Sequence, residues 1–201
     1  MKKLFLVVFL LISGLCFAQT EGYRVGDVVK DFSLKNIDSK MVSLADYKDA
    51  KGYIVVFTCN TCPVAKGYQE RISALNASYA GKGYPVVAIN PNDAVTVPDE
   101  SFEKMQALAN EKNFRFPYLL DPDHVVTKQF GALKTPHVFL LSKTEKGNVV
   151  EYIGAIDNDS EGENPDKINY VQNAISELSA GKKPSIASTK AVGCSIKWKK
   201  G

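Results

Sequence analysis

The chain has 201 residues, 45% of them hydrophobic and 23% charged, with a formal net charge of +3 at pH 7. That balance suits one domain able to bury a substantial core and suggests no polyanion partner, nucleic acid included. Its 4 cysteines are too few for a disulfide-stapled secreted scaffold, and one of them, Cys16, falls in a targeting segment. Met1 to Ala18 carries that segment: Lys2 and Lys3 are the positive region, Leu4 to Ile12 the apolar one, and Cys16-Phe17-Ala18 a small-residue cleavage site. The apolar run is too short to span a bilayer, so the protein is expected to be exported, periplasmic or secreted, with no transmembrane segment after cleavage. Cleavage also takes away two lysines and leaves a net charge of +1. A lipid anchor on Cys16 is the lesser alternative, because Ser13-Gly14-Leu15 makes a poor lipobox. The chain therefore divides into a signal peptide at 1–18, a main domain at 19–181 and a C-terminal tail at 182–201.

Gly26 to Leu34 and Met41 to Leu44 read as two short strands joined by a turn at Asn36-Ile37-Asp38-Ser39. Tyr53-Ile54-Val55-Val56-Phe57 is too short for a helix and rich in β-branched and aromatic residues, as a strand buried on both faces should be. Val64, Tyr68, Ile72 and Leu75 then recur at helical spacing, so Cys59-Asn60-Thr61-Cys62-Pro63 sits on a strand-to-helix turn. Thiolate is the reactive form of cysteine, and the free N–H groups of a helix start favour negative charge there. Cys59, just outside the helix, is the expected nucleophile; Cys62, in the first turn and more covered, is placed to resolve a mixed disulfide. Pro63 fits the first turn because it has no N–H to leave unpaired. A C-x-x-C after a buried strand and before a helix is a fairly specific redox signal. The segment resembles the active-site turn of the thioredoxin-like superfamily, and in particular its redoxin branch of peroxiredoxin-like, TlpA-like and ResA-like proteins. The hairpin pattern before it is similar to the one redoxins carry.

Farther along, a helix is expected from Pro63 to about Tyr79, a buried strand at Tyr84 to Asn90, and a loop containing Asn92 and Asp93 at the edge where such sheets hold ligands. A helix with Phe102, Met105, Leu108 and Ala109 inward follows from Ser101, then a short strand at Phe116 to Leu120 and a brief helix from Val125 to Phe130. Asp121, Pro122, Asp123 and His124 fit a turn and helix cap better than a metal site. Thr135-Pro136 stands at the mouth of a strand running to Leu141, where a proline belongs at the first residue or in an unusual turn. The resemblance implies a cis bond there, a Thr135 backbone that hydrogen-bonds an incoming chain as an added strand, and a Pro136 that keeps metals off the thiols. His137 reads as a packed residue. Val149 to Ile153 completes an antiparallel hairpin, and Gly154 to Glu163 an acidic solvated loop whose spacing fails as a calcium loop. The last helix is expected from Asn164 or Pro165 to Gly181. The tail ends in Gly193-Cys194-Ser195-Ile196-Lys197-Trp198, which resembles the end of the peroxiredoxin-like redoxins; Cys194 is either a third redox thiol reaching Cys59 or a small buried hydrophobe.

The expected fold is thus α/β and thioredoxin-like: a central mixed, mostly parallel sheet flanked by helices, with an N-terminal β-hairpin extension. The expected activity is thiol–disulfide exchange with protein disulfide or dithiol substrates through Cys59 and Cys62, supplied by an upstream thiol electron donor. Asn60, Thr61, Thr135 and Pro136 are the expected substrate-contacting residues, no cofactor or metal is called for, and a monomer is expected. Tyr53 stands where thioredoxin itself has a buried acid, which leaves Glu100, Glu103 and Asp93 as candidate proton acceptors by loop position. Two alternatives are carried. A peroxiredoxin-like peroxidase would have a threonine and a proline where this chain has Val56 and Gly52. A copper-binding assembly factor would need His124 beside the cysteines.

Overall fold

The structure, a computed structural model, describes residues 22–200; the targeting segment read at 1–18 lies outside them. In chain order the elements are β1 (Val28–Val29), β2 (Ser33–Asn36), β3 (Met41–Ser43), β4 (Gly52–Phe57), α1 (Pro63–Tyr79) and β5 (Val86–Asn90). They continue with α2 (Phe102–Glu111), β6 (Tyr118–Leu120), α3 (Val125–Phe130), β7 (Lys134–Thr135) and β8 (His137–Thr144). β9 (Gly147–Gly154), α4 (Tyr170–Ser179) and β10 (Cys194–Ser195) complete the chain.

Eight strands form one sheet in the order β1-β9-β8-β4-β5-β6-β2-β3. The sheet is mixed, but only β4–β5 and β5–β6 run parallel. It is not mostly parallel, because the β8–β9 hairpin closes one side of β4 and the β2–β3 hairpin extends the other beyond β6, and both add antiparallel neighbours. β4 is central and buried along its whole length. Its alternating side chains divide the core. Ile54 and Val56 join α1, α4 and Met105 of α2 on one face, while Tyr53, Val55 and Phe57 join Val126 and Phe130 of α3 on the other.

Two segments depart from the sequence expectation. The last helix begins at Tyr170, not near Asn164, because local side chains capture the backbone that a helix would need. Asp159 accepts from the N–H groups of Gly162, Glu163 and Asn164, and the N–H of Ile168 donates to the Asn158 side chain. The acidic loop is also less solvated than expected. Asp157 and Asp159 turn inward, where Asp157 accepts from the Tyr68 hydroxyl and pairs with Arg71 and Lys167. The tail, in turn, is not an appendage: β10 pairs antiparallel with β7, Cys194 opposite Thr135 and Ser195 opposite Lys134.

Candidate active site

β4 delivers the chain to Cys59, and α1 starts four residues later with Pro63 in its first turn and Cys62 as its N-cap. The turn between them is held from below by Glu100, a fully buried residue from the single turn Pro98–Glu100. Its carboxylate accepts from the N–H of Asn60 (2.8 Å), the N–H of Thr61 (3.0 Å) and the Thr61 hydroxyl. The side-chain amides of Asn90 (3.0 Å) and Asn92 (3.2 Å) donate to it as well. Five donors surround one carboxylate, which is how a buried acid is accommodated away from water. Of the three acids proposed from loop position, only Glu100 reaches the turn. Asp93 is tied to the N–H and hydroxyl of Thr96, and Glu103 is exposed on α2. Tyr53 is tied off elsewhere, its hydroxyl donating to the Leu44 carbonyl.

Asn60 and Thr61, expected to meet substrate, serve the scaffold here. The Asn60 side chain donates to the Asp99 carbonyl and accepts from the Tyr118 hydroxyl, so both its polar atoms are used inside the protein. Thr61, half-buried, gives both its N–H and its hydroxyl to Glu100.

Cys59 is a free thiol and only 2% exposed. Its sulfur lies 3.1 Å from the Thr135 hydroxyl, which with the neighbouring backbone N–H groups of Cys62 and Thr61 pulls the thiol pKa down. Those donors favour the thiolate, as expected at a helix start. Burial outweighs them, and with the Glu100 charge it pushes the Cys59 thiol above its ordinary pKa. The expectation of an accessible, acidified Cys59 is corrected on both counts: the sulfur is covered, and its burial together with the Glu100 charge raises the thiol pKa.

Cys194 of the tail packs against the cluster that holds Cys59, and it changes the pairing of the sulfurs. Cys62 forms a disulfide with Cys194, 132 residues away, with the two Cα atoms 5.9 Å apart. The expected Cys59–Cys62 couple is therefore open, and Cys194 meets Cys62 where the sequence reading had it meeting Cys59 or no sulfur. The geometry follows from β10: opposite Thr135 it lies beside Cys62, whose sulfur is 3.3 Å from the Thr135 carbonyl. Gly193 makes this approach possible, since a Cβ there would stand 2.1 Å from the Thr135 carbonyl oxygen. Cys59, Cys62 and Ala65 form one small buried cluster with Cys194 packed against it. In the sequence this approach shows only as the glycine directly before the last of the 4 cysteines.

The Thr135–Pro136 bond is cis. Next to it His137 is buried against Phe139, with the Leu133 N–H directed at its Nδ1, and burial lowers its pKa to about 4. It is the packed, neutral histidine that its place on an apolar strand predicts. His124 is buried too: Nε2 accepts from the Lys199 N–H and the ring packs on Trp198. A copper role for His124 would first have to break that contact.

The model of the AhpC/TSA family matches residues 25–152. The chain belongs to the AhpC/TSA family. It is 26% identical over 165 residues to the thiol-disulfide oxidoreductase ResA of Bacillus cereus, covering 76% of this chain and 90% of that one. A hypothetical protein of Sinorhizobium meliloti 1021 superposes with a TM-score of 0.82 at 31% identity, over 90% of this chain and 97% of the other. The thioredoxin domain of a thiol-disulfide oxidoreductase from Bacteroides vulgatus superposes with a TM-score of 0.52 at 18% identity, over 64% of this chain and 88% of the other, and speaks for the fold alone. The fold is thioredoxin-like, and family and relatives together make this AhpC/TSA member an oxidoreductase. No helix among the described residues is long and apolar enough to cross a membrane.

Proposed function

We propose that the protein is an exported thiol–disulfide oxidoreductase in which Cys59 attacks and Cys62 resolves, acting on protein disulfides or dithiols with an upstream thiol donor. One observation carries this reading: a free thiol and a disulfide share a single small cluster at the start of a helix. Exchange between a thiol and a disulfide requires those two species side by side. Export rests on the Lys2-Lys3 and Leu4 to Ile12 pattern and sets the mature start after residue 18.

The test is turnover of a generic protein disulfide with a dithiol donor. Cys59→Ser is expected to abolish it and Cys62→Ser to accumulate a mixed disulfide through Cys59; full turnover by Cys59→Ser would overturn the assignment. Membership of the AhpC/TSA family favours a second reading, a thiol peroxidase. Against it stands Gly52, where that pattern has a proline: even a Cβ would lie 2.0 Å from the Leu141 carbonyl oxygen. Rapid peroxide consumption that survives Cys62→Ser would decide for the peroxidase.

A further inference from the structure

We infer that residues 193–199 are a redox-released strap: the tail lies on the strand edge that an incoming extended cysteine-bearing segment would take, and Cys194 is the internal partner sulfur that holds it there. The inference rests on the proposed exchange activity and adds an occupant and a release step to the same site.

β7 pairs with no strand but β10 among the described residues, and the residue it sets opposite Thr135 is Cys194 itself. This is an edge built to accept an antiparallel strand. From there the strap crosses the loops at Leu133, at Asn92 and Asp93, and at His124. The Ile196 N–H is directed at the Leu133 carbonyl, the Lys197 N–H donates to Asn92 and its carbonyl accepts from the Asp93 N–H, and the Lys199 N–H donates to His124. Its apolar attachment is slight. Ile196 is 4% exposed and anchored in the core, but Trp198 is 40% exposed and Ser195 is on the surface. A segment so lightly packed stays closed through its covalent bond.

Release needs no outside oxidant. The Cys59 thiolate attacks the Cys62 sulfur, a Cys59–Cys62 bond forms as the Cys62–Cys194 bond breaks, and the electron pair leaves on Cys194. That sulfur takes up a proton equivalent to the one Cys59 gave up. The disulfide moves into the C-x-x-C, the strap is freed, and the Thr135 edge opens to a partner segment. A small residue before the partner's cysteine is expected, because the approach that Gly193 makes to Thr135 admits no Cβ.

Two variants of the full-length protein test this. Gly193→Ala keeps all three sulfurs and disturbs only the strand approach; Cys194→Ser removes the latch. Trp198, the single tryptophan, reports strap position by its emission. Oxidised Gly193→Ala and reduced Cys194→Ser are both expected to show a red-shifted Trp198 emission. Disulfide mapping of Gly193→Ala should shift from Cys62–Cys194 toward Cys59–Cys62 with Cys194 now taking the alkylating reagent, and Cys59 of reduced Cys194→Ser should alkylate at least tenfold faster than Cys59 of the oxidised wild type. Alkylation and emission unchanged in both variants would overturn the strap, even if exchange activity persisted. An uncovered Cys59 in variants that exchange no disulfide would instead uphold the strap and remove the proposed function.

Discussion

The two halves of the site are held together by opposite means. The turn at Asn60 and Thr61 is fixed by Glu100, whose five donors are all inside the protein and all buried or half-buried. The strap at 193–199 is fixed by one disulfide, one short ladder, the Ile196 side chain in the core and part-buried hydrogen bonds to Asn92 and His124. Buried polar networks are costly to break in part, so the turn has a single arrangement. A disulfide beside a free thiol exchanges, so the strap has two. The site thus joins a rigid half that presents Cys59 with a movable half that hides it.

Cys59→Ser separates the halves most sharply. Exchange activity is expected to fall to background, ~10³-fold or more, as removal of a covalent nucleophile does. The strap should stay closed, because Cys62–Cys194 is untouched, so Trp198 emission should match that of oxidised wild type. An emission change in Cys59→Ser would make the halves one structural unit and break the comparison. Glu100→Ala attacks the rigid half. It leaves the N–H groups of Asn60 and Thr61 and two asparagine amides without their acceptor, at about 3–5 kcal/mol of stability in a denaturant titration. Because the Glu100 charge raises the Cys59 pKa, the thiol should also become more acidic, seen as an alkylation profile moved to lower pH. A loss near zero would mean that the turn holds itself.

His137 lies under the junction of the halves, accepting from Leu133, whose carbonyl faces the Ile196 N–H of the strap. Its folded pKa of about 4 is below the 6.5 of an unperturbed histidine, so at acid pH the unfolded chain binds a proton that the native one does not. Stability is therefore full above pH 6.5 and is lost as pH falls toward 4, by on the order of 3 kcal/mol. His137→Gln, which keeps an acceptor, should flatten that slope between pH 6.5 and 4 in thermal melts. A slope unchanged in the variant would assign the acid loss to other groups.

The rigid half was largely legible in the sequence because its signals are local. The apolar run at Tyr53 to Phe57, the helical spacing after Pro63 and the interposed cysteines lie within some twenty residues, and α1 begins and ends where the periodicity puts it. Glu100 was visible only as one of three acids in a loop, since choosing it requires knowing that the turn Pro98–Glu100 reaches the N–H groups of Asn60 and Thr61. The movable half was not legible. Cys194 is 132 residues from Cys62, and no periodicity in a two-residue strand says which sulfur it meets. The pairing expected between Cys59 and Cys62 failed for the same reason, because the sulfur that takes Cys62 arrives from the far end of the chain. The early start given to the last helix failed on Asp159 and Asn158, whose side chains compete for backbone that apolar spacing alone would assign to a helix.

Trp198→Ala should give the smallest effect, and its size discriminates between two kinds of strap. A tryptophan lost from a packed core costs about 3–5 kcal/mol. This one is 40% exposed and meets His124 at 4.9 Å between ring centroids, so about 1 kcal/mol or less is expected in the oxidised protein, where the disulfide holds the strap in any case. Once Cys194→Ser has removed the latch, the same ring is among the few contacts still holding the segment down. Trp198→Ala in that background, kept reduced so that Cys59 stays a free thiol, is then expected to speed Cys59 alkylation severalfold, while in latched protein it changes the rate little. Such non-additivity is the signature of two groups holding one element. Equal effects in both backgrounds would mean that the ring acts independently of the latch and that the strap is fastened along its length, with the disulfide only one fastening among several.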